Sequence, residues 1–164
     1  TEPEATEPEV TEPSQPEVTE PEVTEPSAPA ATEVIINFAN YEDGAAQYVE
    51  ETRTLHDMIS LHITECDLKT SLRIYQDASY DGKAEFIFTS ALKSVTINAG
   101  NKNSGLEVYG SVDGVEWVLI ETLNVVSAYA DYTVEMPEGT AYKYLKLDSV
   151  SGQIRIPTMK FIFG

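Results

Sequence analysis

Chemistry at a covalent bond needs groups that converge, and this 164-residue sequence offers few of them. His56 and His62 stand six residues apart, which puts both on one face of a strand, with Glu65 and Asp67 close behind. Such a set could ring a metal ion. It lacks the tight His-x-His or His-x-x-x-His pair that anchors a metal site, and two polar-face histidines are the plainer account. Serine, histidine and aspartate all occur, but no Gly-x-Ser-x-Gly frame holds a nucleophile. Glu50 and Glu51 are adjacent carboxylates that water solvates. Cys66 is the one cysteine, so the chain has neither an internal disulfide nor a cysteine metal motif. Between Ile63 and Leu68 it reads as a small buried hydrophobe. No catalytic constellation emerges, and the chain reads as non-enzymatic.

Stacking chemistry is better supplied. Nine tyrosines accompany a single tryptophan. Flat aromatic faces suit the C–H faces of pyranose rings, with planar polar side chains taking the hydroxyls. Tyr109, Tyr132, Tyr142 and Tyr144 fall within strand patterns, where sheet packing explains them. Tyr41, Tyr48, Tyr80 and Tyr129 fall in or beside loops, where no strand pattern explains a large ring. Tyr80 and Tyr129 are the first candidates and Tyr41 the next, with Asp77, Gln76, Asn101 and Asn103 as nearby hydrogen-bonding groups. Trp117 follows an Asp-Gly turn and is expected to pack in the core. Asp77, Asp81 and the Asp43-Gly44 loop offer oxygen ligands suited to Ca²⁺, although Asp also favours turns on its own account.

Strands must position these side chains. In Leu106–Ile120, Leu106 and Val108 alternate with Glu107 and Tyr109, Asp113-Gly114 signals a hairpin turn, and a second arm carries Trp117 to Ile120. That arm is apolar on both faces, which suits a sheet covered on both sides. Later strands can be read as additions to this hairpin. Further strands are expected at Val34–Phe38, Leu55–Ile63, Ser71–Tyr75, Lys83–Phe88, Leu92–Ile97, Tyr132–Met136, Tyr142–Leu147, Gln153–Ile156 and Met159–Phe163, with Pro157 at a bulge or edge. Residues 76–82 and 98–105 read as loops, and residues 124–130 as a connection. Ala45–Glu51 could form two helical turns or a loop. About ten short strands without sustained helical periodicity indicate an all-β, antiparallel β-sandwich.

Composition divides the chain. Residues 1–32 hold seven of the nine prolines, repeat Thr-Glu-Pro-Glu, and lack any Lys, Arg or aromatic residue. Such a stretch cannot bury enough apolar surface to offset the entropy of ordering it, so a disordered, extended Thr/Pro/Glu linker is expected. It would join the fold at 33–164 to other modules of the same polypeptide. The formal charge of −18 is shared equally by linker and fold. An acidic fold argues against nucleic acid or an anionic membrane surface as partner. Scattered solubilising lysines account for the seven lysines. No window approaches the ~18 apolar residues of a membrane-spanning helix.

Four segments carry a family likeness. Leu106-Glu-Val-Tyr-Gly-Ser-Val-Asp-Gly-Val-Glu-Trp117 resembles the Ser-x-Asp-Gly…Trp hairpin of discoidin domains, the coagulation factor V/VIII type C family. Tyr142-Lys-Tyr-Leu-Lys-Leu147 resembles that family's late Arg-Tyr-Val-Arg-Leu strand. Gln153–Ile156 with Met159–Phe163 is similar to its closing strand, and Lys93–Ile97 to the strand before the hairpin. The likeness covers residues 84–164. It implies a galactose-binding-like jelly roll, frequently a carbohydrate-binding module attached to bacterial glycan-degrading enzymes, and in many members a structural Ca²⁺. The resulting expectation is a non-catalytic module on a secreted or cell-surface bacterial protein, gripping a polysaccharide through loop tyrosines, without nucleic acid or membrane insertion. The alternative is a structural or protein-interaction sandwich of an adhesin or extracellular complex.

Overall fold

The structure, a computed structural model, describes residues 31–41 and 48–164. Nearly all of the expected linker, Asp43 and the first three residues of the possible helix at Ala45–Glu51 lie outside the described residues.

Among the described residues eleven strands form, and every pairing between them is antiparallel: β1 (Thr32–Asn37), β2 (Val49–His56), β3 (Ile59–Leu68), β4 (Leu72–Gln76), β5 (Lys83–Phe88), β6 (Leu92–Gly100), β7 (Ser104–Ser111), β8 (Val118–Val125), β9 (Ala130–Glu135), β10 (Tyr144–Ser149) and β11 (Gly152–Phe163). Their order is β8-β7-β10-β5-β3-β4-β11-β6-β9, with β2 beside β3 and β1 beside β11. The ribbon turns over at β3. Residues 59–64 pair with β5, residues 66–68 pair with β4, and Glu65 between them has a φ of 49°. One layer therefore runs from β8 to β5, and the other holds β4, β11, β6 and β9.

Alternation decides what each layer buries. Leu61, Ile63, Phe86, Leu145, Leu147 and Val108 face Leu72, Ile74, Ile154, Ile156, Phe161 and Ile97 across the core, all of them buried. Phe86 and Phe88 of one layer place their rings 5.4 and 5.5 Å from Phe161 of the other. β11 is the hub of the second layer. Its first residues pair with β4 and its later ones with β1 on the same edge, while β6 runs along the other edge. Pro157 sits where β4 gives way to β1, within a register shift against β6, so no ladder bond needs its missing N–H.

The all-β sandwich agrees with the sequence reading, and several details differ. The Leu106–Ile120 hairpin is not the organising centre, because β8 is the outer edge of its layer. Its second arm is not covered on both faces, since Val118 and Leu119 are 55% and 47% exposed. The Asp113-Gly114 turn is a six-residue connection and not a two-residue one, because the Asp113 carboxylate captures the N–H groups of Val115 and Glu116. Trp117 is not a core residue. It lies half-buried on the outer face, edge-on to Tyr144 and beneath the Lys146 ammonium at 4.7 Å. Residues 49–51, expected to be helix or loop, are strand, because Val49 and Glu51 pair with Cys66 and Ile63. Asn98–Gly100, expected to be loop, extend β6, because Asn98 and Ala99 pair with β9 and Gly100 pairs with Arg155 of β11.

Candidate functional site

Inward alternation of Leu72, Ile74, Ile154 and Ile156 sends Arg73, Tyr75, Gln153 and Arg155 to the outer face of the second layer. Register places Tyr75 opposite Gln153, and Arg73 opposite Arg155. Arg155 in turn lies opposite Gly100 of β6.

Three tyrosine rings gather at one end of this face. Tyr48 and Tyr80 have ring centroids 4.3 Å apart, and Tyr75 lies 5.8 Å from Tyr48 and 5.5 Å from Tyr80. Local chemistry holds each ring in place. Asp77 accepts the N–H groups of Ser79 and Tyr80, which folds the β4–β5 turn back and lays Tyr80 against Tyr75. Gly82 closes that turn by donating to the Tyr75 carbonyl at 2.9 Å. A Cβ there would meet the Glu65 and Tyr75 carbonyl oxygens at 2.8 and 2.9 Å, so only glycine fits against that backbone. Tyr48 adopts a φ of 55°, and Gln153 Nε2 donates to its hydroxyl at 3.0 Å. The Tyr75 hydroxyl donates to Asp77, which pushes the phenol up. The Ser79 N–H first, and then the Tyr75 hydroxyl, hold Asp77 below the usual carboxylate range.

Beyond the rings the floor is polar. Arg155 Nε donates to Gln153 Oε1 at 2.8 Å, which keeps the guanidinium flat along the strand. Arg73 approaches the buried Asp67 at 3.4 Å. At the other end Tyr129 lies over Gly100, where a Cβ would meet its ring at 2.9 Å. The loop carrying Tyr129 is fastened from two sides. Asn101 donates its N–H to the Ser127 carbonyl and its side chain to the Gln153 carbonyl, and Asn103 accepts the Ser127 N–H at 2.7 Å. The face is thus a shallow strip, with a tyrosine cluster at one end, an exposed tyrosine at the other and planar donors between.

The candidates from sequence fall into distinct places. Tyr80 and Tyr129 reach this one face. Tyr41 does not, because its hydroxyl donates to the Leu55 carbonyl, six strand residues or ~20 Å along β2 from Val49. Asp77, Asn101 and Asn103 lie at the strip's margins and spend their groups on holding its loops. Gln76 follows Tyr75 on β4 and so points to the opposite side. The Asp77 oxygens take turn donors, and Asp81 pairs with Lys83. Among the described residues no three His, Cys, Asp or Glu side chains group around a metal position. His62 bonds Thr52, while His56 accepts the Met58 N–H. Sequence reasoning missed Tyr75, Arg73, Gln153 and Arg155. Their one local signal was being polar or aromatic at outward positions of apolar strands. A cleft of about 520 Å³ at the far end of β6 and β9 has no aromatic lining residue.

No family model matches the chain, and no curated protein matches it. Solved structures do. A family 29 carbohydrate-binding module from Piromyces equi superposes with a TM-score of 0.58 at 13% identity, covering 82% of this chain and 92% of its own. A family 29 variant complexed with mannohexaose gives 0.58 at 13% identity, covering 82% and 94%. The module CpGH89CBM32-6 produced by Clostridium perfringens gives 0.52 at 17% identity, covering 70% and 100%. The chain has the fold of carbohydrate-binding modules. The antiparallel β-sandwich that the discoidin likeness implied is thus the fold these modules share with the chain.

Proposed function

We propose that this chain is a non-catalytic carbohydrate-binding module that grips a polysaccharide on the outer face of the β4–β11–β6 layer. The observation that carries this reading is the Tyr48–Tyr75–Tyr80 cluster standing beside the Gln153–Arg155 row. Aromatic faces take the apolar side of a sugar ring, and the amide and guanidinium donors take hydroxyls along the chain. Tyr75, Gln153 and Arg155 sit on strands, and hydrogen bonds fasten the Tyr48 hydroxyl and the Tyr80 N–H, so the strip is preformed and little ordering entropy is lost on binding. Support comes from neighbours of the same fold, among them family 29 modules complexed with mannohexaose and with cellulohexaose.

In this reading the module belongs to a secreted or surface-bound bacterial protein. The Thr/Pro/Glu stretch at residues 1–32 serves as a spacer that links it to other modules and gives it reach, so avidity supplements a modest single-site affinity. Affinity electrophoresis in gels containing mannan, hydroxyethylcellulose, xylan or pectin tests the function. Retardation on at least one polysaccharide, abolished by Tyr80→Ala and by Tyr48→Ala, is expected. A folded protein that none of them retards refutes it.

A second reading has its own observation. Val112, Val115, Val118 and Leu119 are exposed along the β7–β8 edge, next to Trp117. A patch of this kind suits a structural or protein-interaction module. Retained glycan binding after Val118→Lys and Leu119→Lys separates that edge from the sugar strip.

A further inference from the structure

The outer face contains one cross-strand row whose charges do not balance. Register sets Asp67 of β3 opposite Arg73 of β4, Arg73 opposite Arg155 of β11, and Arg155 opposite Gly100 of β6. Read across the sheet, the row runs acid, base, base, glycine. Like charges directly opposite each other on adjacent strands repel and destabilise the pairing. Asp67 relieves only Arg73, from the side away from Arg155. Arg155 spends its Nε on a neutral amide, Gln153 Oε1, and no described carboxylate pairs with its guanidinium. Arg73 Nε has no hydrogen-bond partner among the described residues either.

The neighbouring acids are already engaged. Asp77 holds the β4–β5 turn, Asp131 accepts from Asn98 at 2.6 Å, and Glu65 accepts the Asp81 N–H. Two forked guanidinium groups therefore face each other beside the tyrosines without a shared anion, in a chain of formal charge −18. A carboxylate is the group that fits a guanidinium fork with two parallel charge-assisted bonds.

We propose that the polysaccharide bound here is acidic, a chain of uronic acid units, with a carboxylate seated on Arg155 and Arg73. The Tyr75–Gln153 row lies two residues along the strands, ~7 Å away, so the carboxylate of one unit and the stacked ring of its neighbour fit together on the strip. This rests on the carbohydrate-binding reading and specifies its ligand.

Calorimetry on the full chain tests it with four probes: hexagalacturonate, the same oligomer with its carboxylates reduced to alcohols, mannohexaose and cellohexaose. Hexagalacturonate is expected to bind about tenfold or more tightly than its reduced form, the worth of one charge-assisted pair. Raising the salt from low to high should shrink that ratio. Arg155→Gln should remove the ratio, and Arg155→Lys, which keeps the charge without the fork, should restore only part of it. Thermal melts of each variant check the fold. Equal binding of the acid and reduced oligomers, or an unchanged ratio in Arg155→Gln, overturns the acidic-ligand assignment. Neutral hexaose binding that Tyr80→Ala abolishes would then leave the broader reading standing, whereas no binding of any probe overturns both.

Discussion

Asp67→Ala should be among the most damaging single substitutions on the sheet face. The Asp67 side chain is 1% exposed and sits 3.4 Å from Arg73, whose own side chain is 19% exposed. Removing one partner of a buried pair leaves the other charge uncompensated, which costs ~3–5 kcal/mol. One contact at 3.4 Å, with Asp67 Oδ1 lacking a partner among the described residues, places this case near 3 kcal/mol. For a fold of this size that is a fall of ~10 °C in Tm, or ~1–3 M in urea midpoint. The double variant Asp67→Leu/Arg73→Leu should recover most of the loss, because a poorly compensated buried pair is of little net benefit over apolar packing. Urea denaturation of wild type, both single variants and the double variant closes the cycle. A loss below ~1 kcal/mol for Asp67→Ala, or a double variant as unstable as the sum of the singles, refutes the reasoning.

Cys66 is buried in the core, and burial pushes its thiol well above the usual range, so a thiolate-directed reagent should label it only in denaturant; rapid labelling of the folded protein contradicts this. The Asp77 carboxyl sits below its unfolded value, so its contribution to the Tyr80 turn is complete above that unfolded value, near 3.8, and fades as pH falls through the folded value. Tyrosine fluorescence followed from pH 6 to 2 should report loosening of the ring cluster only in the acid limb, and Asp77→Asn should remove that dependence. Tyr109 is pushed up to about 12, first by its hydrogen bond to Glu107, so Glu107→Gln should bring its ultraviolet titration back toward 10. Chelation should leave Tm unchanged, because Asp77 and Asp81 already hold protein donors; a fall that Ca²⁺ reverses would place a metal at these acids or at Asp43.

Much of the fold was legible because the signal is local. Leu72/Ile74, Phe86/Phe88, Leu145/Leu147 and Ile154/Ile156 alternate with polar residues, and period-two burial follows from the geometry of a strand whatever its partner. Edges were not legible. The apolar second arm of the hairpin looked covered, yet β8 carries Val118 and Leu119 into solvent, since only the strand order reveals which strand comes last. Trp117 was read as core from its place after a turn, but its surroundings are Tyr144 and Lys146, which the chain delivers from β10.

The sequence by itself determined the class of fold, the inward residues, the lone buried thiol and the loop origin of Tyr80 and Tyr129. Tertiary structure decided what the outward residues do. Tyr48 and Gln153 are separated by 105 positions and share a hydrogen bond, while Arg73 and Arg155 meet only because β4 and β11 pair in one register. Outward positions are soluble in any arrangement, so their residue types do not reveal their partners. Long-range register assembles them into a site, and a shift of one residue would turn each of them to the other face.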